Sequence, residues 1–400
     1  MHSFKGKQVL LLQGPVGPFF KNLAYDLENT GAIVHKINFN GGDWFFSDKA
    51  NSIDFTGTIE EWPDFFNSLI ERYWIDTVLL FGDCRAHHSI AHAIAVKKGI
   101  EVGVFEEGYI RPDFITFEEY GVNGNSKISK DPSFYLALDE SEFAIPEIQP
   151  VGYPFCYAVW WAILYYFFSA LLYPKFRRYR HHRPLNPFEG LYWIRSLWRK
   201  WWYKYKERGI LSVASTSMSQ KYYLVPLQIA TDAQIKQYYR YKRIDIFLEK
   251  VITSFAKNAP KESWLLIKHH PLDRGYHDYE NFIKKLSRIN SVESRVKYIH
   301  DQHLPTLLDH ARGCVLINST VGLSAIHHNT PLKICGEAIY DIEGLVYQGE
   351  IDTFWNEAEH FTIDQALYHR FKGYIVNQKL LNGNFYKPLK VSKLKSGILW

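Results

Sequence analysis

Two series of short apolar runs constrain the fold of this chain most strongly. The runs end in glycine or polar turns, and helical patterns follow six of the nine. The first series comprises residues 8–13, 32–39, 77–81 and 101–105. The second comprises residues 222–227, 264–268, 296–299, 314–317 and 331–334. Helical patterns cover residues 21–27, 89–98, 243–258, 279–289, 304–311 and 321–328. Strands that alternate with helices indicate βαβ units, so we predict two Rossmann-like α/β halves.

An aromatic and basic segment separates the two series. No residue from Gln149 to Pro174 is charged, and nine of the nineteen residues from Phe155 to Tyr173 are Tyr, Trp or Phe. Residues 174–208 then contain eleven Lys or Arg and two Glu. The apolar run approaches the length of about 20 residues that spans a bilayer, but aromatic rings prefer the membrane interface. We therefore expect a helical basic-aromatic surface that lies on an anionic membrane.

Two other interpretations of this segment stay open. Cations interleaved with aromatic rings also suit single-stranded nucleic acid, and a core helix pair with a basic solvent face is the purely structural alternative. The uncharged aromatic run directly beside the cations favours lipid over nucleic acid. The predicted membrane-docking residues are Trp160, Trp161, Arg177, Arg178, Arg180, Arg199 and Lys200.

Length and composition indicate several domains. Four hundred residues suggest about two or three domains, and a hydrophobic share of 46% is enough for sizeable cores. The predicted division is an N-terminal Rossmann-like acceptor domain at 1–150, the membrane-associated insertion at 151–215, a C-terminal Rossmann-like domain at 216–355, and a helical segment at 356–400. We expect this last segment to pack back on the N-terminal domain.

The cysteines and the N-terminal apolar run favour a cytoplasmic protein. The four cysteines are widely spaced and form no CxxC pair, so they indicate neither a zinc ribbon nor a disulfide framework. The apolar run near the N-terminus is too short for the h-region of a signal peptide. We expect a strand there.

Polar residues follow the strands of the second series, at the sheet edge where ligands of open parallel sheets bind. Strand 264–268 ends in Lys268, His269 and His270, and a proline then turns the chain. Adjacent side chains of a strand point to opposite faces, so at most one of these histidines should face a ligand. Phosphate binding and a solvated capping histidine are both compatible with this motif.

The stretch NSTVGLSAI places hydroxyl residues between a buried strand and a helix. Ser319 and Thr320 lie at the expected N-cap, where N–H groups and the helix dipole favour an anion. An ordinary cap is the alternative for this motif alone, but the His-Pro turn one βαβ unit earlier favours a nucleotide-phosphate pocket. Asp232 follows the first strand of the second series, and we expect it at the floor of a cleft.

The first series carries weaker signals. GPVGPFF, with Gly14 and Gly17, is a glycine turn but neither GxGxxG nor a P-loop. FEEGYIRP places Glu106, Glu107 and Arg111 after a strand, which suits a general acid or base and equally a turn with surface charges.

GDCRAHH contributes polar groups after the third run. They are Asp83, Arg85, His87 and His88. The histidine pairs of the chain lack HExxH and facial-triad spacing, so no metal site is predicted.

In their order along the chain, these motifs resemble capsule polysaccharide synthesis proteins of the KpsS (LipB) type. The motifs are QGPVGPFF, FGDCR, FEEGYIRP, VPLQIATD, KHHPLDRG, NSTVGLSA and IYDIEGLVYQGEIDTFW. The resemblance runs from Gln13 to about Tyr386 and is weakest at the aromatic run. It implies a GT-B glycosyltransferase with two Rossmann-like domains facing a cleft, on the cytoplasmic face of the inner membrane.

The resemblance also implies a reaction and partners. The enzyme would move β-Kdo from CMP-β-Kdo to phosphatidylglycerol with retention, starting the poly-Kdo linker of a capsule polysaccharide, without cofactor or metal. A KpsC-type transferase and the capsule export machinery would act with it, and nucleic acid is not an expected partner. The alternatives are another CMP-sugar transferase, such as one using sialic acid, acting on a glycolipid, and a non-catalytic assembly or export factor with a GT-B fold.

Residue roles follow from the same resemblance. Asp232 matches the carboxylate nucleophile of related Kdo transferases. Glu106 and Glu107 match an acidic pair for acceptor activation or proton transfer, with Glu107 preferred. The residues implied for CMP-Kdo are Gln228, Lys268, His270, Asn318, Ser319 and Thr320, with His270 also assisting the departure of CMP. The acceptor side would use Gly14, Gly17 and Arg111.

Overall fold

In a computed structural model the chain forms two compact units. The structure describes residues 4–180, 189–230, 235 and 239–400, without the side chains of residues 189 and 190. The first unit takes residues 1–127, 144–185 and 373–400, and the second takes residues 128–143 and 186–372. Each unit contains one sheet with helices around it, so the predicted α/β class is confirmed.

The strands of both units are short. They are β1 (Gln8–Leu11), β2 (Ile33–Asn38), β3 (Ser52–Asp54), β4 (Thr77–Phe81), β5 (Glu101–Glu107), β6 (Phe114–Glu119), β7 (Tyr222–Pro226), β8 (Trp264–Lys268), β9 (Val296–Ile299), β10 (Gly313–Leu316), β11 (Leu332–Ile334) and β12 (Leu380–Asn382). The first sheet has the order β12-β6-β5-β4-β1-β2-β3, and the second has the order β11-β10-β7-β8-β9.

Both sheets share one parallel topology. In the first sheet β1 to β5 are parallel, while β6 and β12 add an antiparallel edge. The second sheet is parallel throughout. If the five parallel strands of each sheet are numbered along the chain, both have the order 3-2-1-4-5 of a Rossmann fold. In each sheet the order therefore reverses beside the first strand, at β1 and β4 in one unit and at β7 and β10 in the other.

The helices flank these strands. They are α1 (Phe19–Asn29), α2 (Gly41–Phe45), α3 (Trp62–Arg72), α4 (Ala86–Lys97), α5 (Pro132–Leu136), α6 (Glu140–Phe143), α7 (Phe155–Leu171), α8 (Glu189–Lys206), α9 (Ile210–Ser215), α10 (Ile244–Asn258), α11 (Glu280–Ile289), α12 (Leu304–Asp309), α13 (Val321–His327), α14 (Ile351–Glu357) and α15 (Gln365–Gln378). Short 3-10 turns cover Asn123–Asn125 and Ala358–His360.

The apolar runs form strands because both of their faces are buried. Leu10 of β1 packs into one core cluster of the first unit, and its neighbours Val9 and Leu11 pack into another. Burial on both faces is typical of parallel strands covered by helices, and a fully buried Leu or Val contributes roughly 1.5–3 kcal/mol. The strands predicted at 77–81, 264–268 and 296–299 are confirmed to the residue.

The sequence prediction missed several elements, among them α2, β3, α3, β6 and β12. β6 alternates FITFEE and pairs antiparallel with β5, so it carries no uninterrupted apolar run. The region 121–152 contains the short helices α5 and α6.

The predicted insertion at 151–215 is divided between the units. Residues up to 185 belong to the first unit and those from 186 belong to the second. Residues 373–400 belong to the first unit, where β12 pairs with β6. Within the described ranges, no helix combines the length and the apolar character needed to cross a membrane.

Candidate functional site

Gln13 organises the switch point of the first sheet. It follows β1, is buried, and its Oε1 accepts hydrogen bonds from Arg85 Nη1 at 2.9 Å and from Tyr179 Oη at 3.1 Å. Its Nε2 donates to Asp43 Oδ2 at 2.9 Å. Arg85 precedes α4 directly, so Gln13 connects the carboxyl ends of β1 and β4.

Asp43 is the centre of a buried polar cluster behind this switch point. Asn40 caps α2 by accepting a hydrogen bond from the Asp43 N–H at 3.0 Å. Asp43 Oδ1 accepts from Tyr165 Oη at 3.0 Å, and Asp43 Oδ2 accepts from the Phe39 N–H at 3.1 Å. Because Tyr165 lies on α7, this cluster fixes the aromatic helix to the first unit.

The glycine turn after β1 is shaped by packing. A Cβ atom on Gly14 would lie 2.7 Å from the ring of Phe20. Gly17 has a φ of +114°, and a Cβ atom there would lie 3.1 Å from Trp161. These contacts explain the two glycines without a ligand, and their acceptor role stays a prediction.

Trp161 differs from the docking role expected for it. Its indole N–H donates to the carbonyl oxygen of Tyr386 at 2.9 Å, and its side chain covers Gly17. The neighbouring Trp160 is 55% exposed. One face of α7 thus packs against the first unit through Trp161, and another face is exposed to solvent at Trp160. Of these two tryptophans, only Trp160 is available to contact a membrane.

The acidic pair lies at the end of β5. The Glu107 N–H donates to Glu106 Oε1 at 2.9 Å, and Glu107 Oε1 accepts from Tyr386 Oη at 2.9 Å. The pKa of Glu106 is raised to about 7, chiefly by burial and also by the Glu107 charge, while the hydrogen bond from the Glu107 N–H and the Arg85 charge oppose this rise. A carboxyl group that titrates near neutrality can both accept and donate a proton at physiological pH.

Asp83 and Arg111, two other polar residues predicted in the first unit, have structural partners. Asp83 is buried and its Oδ2 accepts from the Val122 N–H and from Asn125 Nδ2, both at 3.1 Å. Arg111 is exposed and donates from Nε to the Gly108 carbonyl at 3.2 Å. Among the described residues, no group of three or more His, Cys, Asp or Glu side chains is arranged to hold a metal ion.

Gln228 and Asn318 meet at the switch point of the second sheet. Gln228 Nε2 donates to Asn318 Oδ1 at 3.0 Å, and the Asn318 N–H donates to Gln228 Oε1 at 3.3 Å. One residue follows β7 and the other follows β10. The structure therefore brings together two of the residues predicted to bind the donor.

Ser319 and Thr320 precede α13, as predicted. Thr320 is the N-cap, but its side chain makes no capping hydrogen bond. Ser319 Oγ accepts from the Val321 N–H at 3.2 Å instead, and the Ser319 carbonyl accepts from Tyr340 Oη. Binding of an anion there stays a prediction.

The His-Pro motif separates its side chains as the strand pattern predicts. His269 is buried with Nδ1 2.6 Å from Tyr298 Oη, whereas His270 is half-buried and its Nδ1 accepts from the Leu272 N–H at 3.2 Å. Lys268 is only 7% exposed, and burial lowers its pKa although the charges of nearby carboxylates oppose this. A phosphate role suits the half-exposed His270 better than the buried Lys268.

Asp232, the predicted nucleophile, lies outside the described residues. The described chain before it ends at Ala230, whose N–H donates to Asp273 Oδ2 at 3.2 Å. The role of Asp232 therefore stays a prediction from the resemblance.

The basic residues predicted to dock on a membrane fall into two groups. Arg177, Arg178, Arg180 and Lys200 are exposed. The Arg199 side chain is only 13% exposed, because it donates to the Arg274 carbonyl at 2.8 Å and pairs with Asp278 at 3.1 Å. Arg199 is thus a structural residue of the second unit and not a free surface cation.

Glu207 anchors the basic segment to the second unit, and sequence reasoning missed it. Its Oε1 lies 2.5 Å from His300 Nδ1, and its Oε2 accepts from the His300 N–H and from Gln302 Nε2, both at 3.0 Å. Burial alone would raise the pKa of Glu207, but the hydrogen bonds from His300 and Gln302 lower it. The available signal was one of only two carboxylates in a segment with eleven cations.

Two Rossmann-like units, each with polar groups at its switch point, define a protein of the GT-B glycosyltransferase fold. Residues 76–386 match the family described as capsule polysaccharide biosynthesis protein, and the chain belongs to that family. This confirms the resemblance found in the motifs.

Named relatives cover nearly the whole chain. It is 41% identical over 382 residues to the capsule polysaccharide export protein KpsS of Escherichia coli, which covers 95% of this chain and 97% of that protein. It is 37% identical over 391 residues to the capsule polysaccharide modification protein LipB of Neisseria meningitidis serogroup A, covering 96% and 92%. Among solved structures, the KpsC beta Kdo 2,7 transferase of Thermosulfurimonas dismutans aligns over 94% of this chain and 92% of that chain, with a TM-score of 0.46 and 12% identity.

Proposed function

We propose that this chain is a retaining glycosyltransferase that moves β-Kdo from CMP-β-Kdo to a phosphatidylglycerol lipid, starting the linker of a capsule polysaccharide. Membership of the capsule polysaccharide biosynthesis family supplies the context. The observation that carries an enzymatic role is Glu106, whose pKa burial raises to about 7 at the carboxyl end of β5. A carboxyl group with a pKa near the working pH is suited to general acid–base catalysis.

The second unit supplies the proposed donor site. The reciprocal Gln228–Asn318 pair marks the switch point, which is where ligands of open α/β sheets bind. Ser319 and Thr320 follow it with hydroxyl groups, and the half-buried His270 lies after the neighbouring strand β8. We assign the CMP phosphate to His270 and to the 318–320 turn.

The proposed reaction has two displacements. The Asp232 carboxylate attacks the anomeric carbon of Kdo, and CMP leaves with the bonding electron pair. The acceptor hydroxyl then attacks the same carbon, gives its proton to the Glu106 carboxylate, and releases Asp232. CMP is a good leaving group, so the proposal includes neither a metal nor a cofactor. We assign proton transfer to Glu106 in preference to Glu107, because the pKa of Glu106 is raised to about 7.

Exposed rings and cations support docking of each unit on an anionic membrane. On α7 the exposed rings include Phe155, Trp160 and Phe167, and on α8 they include Trp198 and Trp201. Rings at an interface and cations near anionic lipid both favour membrane binding. We place the protein on the cytoplasmic face of the inner membrane, where a KpsC-type transferase would extend its product and the export machinery would follow.

A non-catalytic export factor is the second candidate, because the E. coli relative is described as an export protein. A transferase for another CMP-sugar is the third. Both alternatives are compatible with the same fold. The export factor would form no glycosylated lipid, and the other transferase would attach a different sugar.

A transfer assay separates these functions. Purified protein is incubated with a short-chain phosphatidylglycerol and CMP-Kdo generated in situ, and the lipid is analysed by mass spectrometry. We expect a lipid that carries one Kdo, with CMP-sialic acid giving no product in a parallel reaction. A sialylated lipid would identify the other transferase, and no product from either donor would favour the export factor.

A further inference from the structure

A cavity of about 70 Å³ lies in the first unit at the carboxyl ends of β1 and β4. It borders the start of α4, a helix of twelve residues. Its lining includes Gln13, Arg85, His87, His88, Tyr179 and Arg180. The acceptor residues predicted from the sequence, Gly14, Gly17 and Arg111, are not among those that line it.

The charged groups of the cavity are cations. Arg85 donates one guanidinium N–H to Gln13 and lies over the ring of Phe81, with 4.9 Å between its Cζ and the ring centroid. Arg180 is exposed. Burial lowers the pKa of His87 to about 4, so this ring is neutral at pH 7. None of the described residues that line the cavity is acidic, and two guanidinium groups beside a helix start favour a phosphate.

His88 adds a hydrogen-bond acceptor. Its Nδ1 lies 2.8 Å from the Gly82 carbonyl oxygen and 3.1 Å from that of Phe81. Carbonyl oxygens only accept, so Nδ1 carries the proton and Nε2 carries a lone pair. Burial, together with the Arg85 charge, lowers the pKa of His88 to about 3 and keeps this tautomer neutral. Nε2 is buried and has no hydrogen-bond partner among the described residues.

We propose that this cavity binds the glycerol phosphate head group of the lipid acceptor. The guanidinium groups of Arg85 and Arg180 hold the phosphate, and a glycerol hydroxyl donates to His88 Nε2. The inference rests on the proposed function for the identity of the lipid. The cavity would recognise a phosphate with a neighbouring hydroxyl group. CMP also carries these groups, because its phosphate is attached to a ribose. The test must therefore distinguish binding of the lipid head group from binding of CMP.

The first test compares two exposed arginines by calorimetry on the full-length protein. The probes are glycerophosphoglycerol, which is deacylated phosphatidylglycerol, and CMP. We expect Arg180→Gln to weaken glycerophosphoglycerol binding by about tenfold and to leave CMP binding unchanged. Arg177→Gln is the matched control, since Arg177 is exposed on the same segment and does not line the cavity. Equal binding by both variants, or loss of CMP binding alone in Arg180→Gln, would overturn the proposal.

The second test changes the ligand, so that it does not depend on the folding of a His88 variant. Glycerol 3-phosphate and propyl phosphate match in charge and carbon number but differ in hydroxyl groups. We expect glycerol 3-phosphate to bind about tenfold more tightly, and His88→Phe to remove this difference if it folds. Equal affinities for the wild-type protein would overturn the hydroxyl assignment.

The transfer assay keeps this inference distinct from the proposed function. Selective glycerophosphoglycerol binding without a Kdo-lipid product would refute the transferase and retain the cavity. A Kdo-lipid product with equal transfer rates for Arg180→Gln and Arg177→Gln at limiting lipid would retain the transferase and refute the cavity.

Discussion

Tyr165 Oη donates a hydrogen bond to Asp43 Oδ1 at 3.0 Å and so fixes α7 to the polar cluster behind the first switch point. The same hydroxyl accepts from Asn40 Nδ2 at 2.7 Å and from Gln13 Nε2 at 3.1 Å. Burial, with the Asp43 charge, raises the pKa of Tyr165 well above its usual range, so the hydroxyl stays protonated. The Tyr165 hydroxyl therefore connects α7 to Gln13, which also accepts a hydrogen bond from Arg85.

Removing this hydroxyl should destabilise the first unit. Tyr165→Phe leaves three buried polar groups short of a partner, and an unsatisfied buried group costs about 1–3 kcal/mol. We expect the free energy of unfolding, measured by urea denaturation, to fall by about that amount. Tyr157→Phe is the control, because Tyr157 lies on the same helix and is 45% exposed. Equal stability of the two variants would mean that the cluster does not hold the helix.

The raised pKa of Glu106 predicts how the rate of Kdo transfer should depend on pH. The proposed base is the ionised form, and burial raises its pKa to about 7, so kcat/KM should rise with pH and level off above that value. Glu106→Gln should abolish this rise of kcat/KM with pH and most of the activity, whereas Glu107→Gln should keep the rise. If kcat/KM of Glu106→Gln depended on pH in the same way as that of the wild type, another residue would be the general base.

Two further changes follow from the surroundings of Glu106. Arg85 lowers the pKa of this carboxyl group, so Arg85→Gln should move the rise of kcat/KM to higher pH.

The folded protein also holds the Glu106 proton over a pH range in which the unfolded chain has lost it. Glu106 therefore contributes a stability that is present below the ordinary carboxyl pKa of 4.5 and falls as the pH rises to about 7.

Local pattern was enough to locate nine of the twelve strands named above. Apolar runs bounded by turns identified β1, β4, β7 and β8, because a parallel strand covered on both faces needs little information beyond its own residues. The rule that ligands bind beyond the carboxyl ends of strands then directed attention to Gln228 and Asn318. Their hydrogen bonds depend on the pairing of β7 with β10, and the sequence alone did not predict which strands are neighbours.

Side-chain environments set by distant contacts could not be predicted in this way. Tyr165 and Asp43 are 122 residues apart, and nothing near either residue indicates the other. In the sequence, Arg199 cannot be distinguished from the exposed cations beside it. In the structure, its side chain is covered by contacts with Arg274 and Asp278. Lys268 ends a strand as expected, yet its burial depends on elements from elsewhere in the second unit.

Glu207 should hold α8 to the second unit. Its partner His300 is buried and stacks on Tyr203 with ring centroids 3.4 Å apart. The Glu207 carboxylate accepts buried hydrogen bonds from His300 and Gln302, and a hydrogen bond to a charged group is worth about 1.5–3 kcal/mol, so Glu207→Gln should lower the free energy of unfolding by an amount of that order. Glu293→Gln is the control, since its pair with Arg288 is exposed and is worth about 0–1 kcal/mol.

The Glu207 contribution should also depend on pH. The pKa of this group is lowered in the folded protein, so its stabilisation is present above the ordinary value of 4.5 and is lost as the pH falls through the folded value. Urea denaturation of wild type and Glu207→Gln at neutral and acidic pH should therefore give a difference that shrinks on acidification. A constant difference would mean that packing, and not charge, is what the substitution removes.

Asp232 is the proposed nucleophile, and its substitution should separate chemistry from folding. Asp232→Asn keeps the size of the side chain but removes the negative charge that attacks the anomeric carbon. We expect Kdo transfer to be lost while the urea denaturation midpoint stays within experimental error. Turnover near the wild-type rate would exclude Asp232 as the nucleophile and leave the Gln228–Asn318 switch point unaffected.

Membrane binding should depend on the exposed cations and not on Arg199. Each Lys or Arg near an anionic surface contributes about 1 kcal/mol, so the triple reversal Arg177→Glu, Arg178→Glu and Lys200→Glu should greatly reduce co-sedimentation with phosphatidylglycerol vesicles. Phosphatidylcholine vesicles control for charge, because their surface is neutral. Arg199→Glu should instead lower stability, since the Arg199 side chain is 13% exposed and pairs with Asp278. Undiminished sedimentation of the triple variant would show that the exposed rings of α7 and α8 bind the membrane without help from these charges.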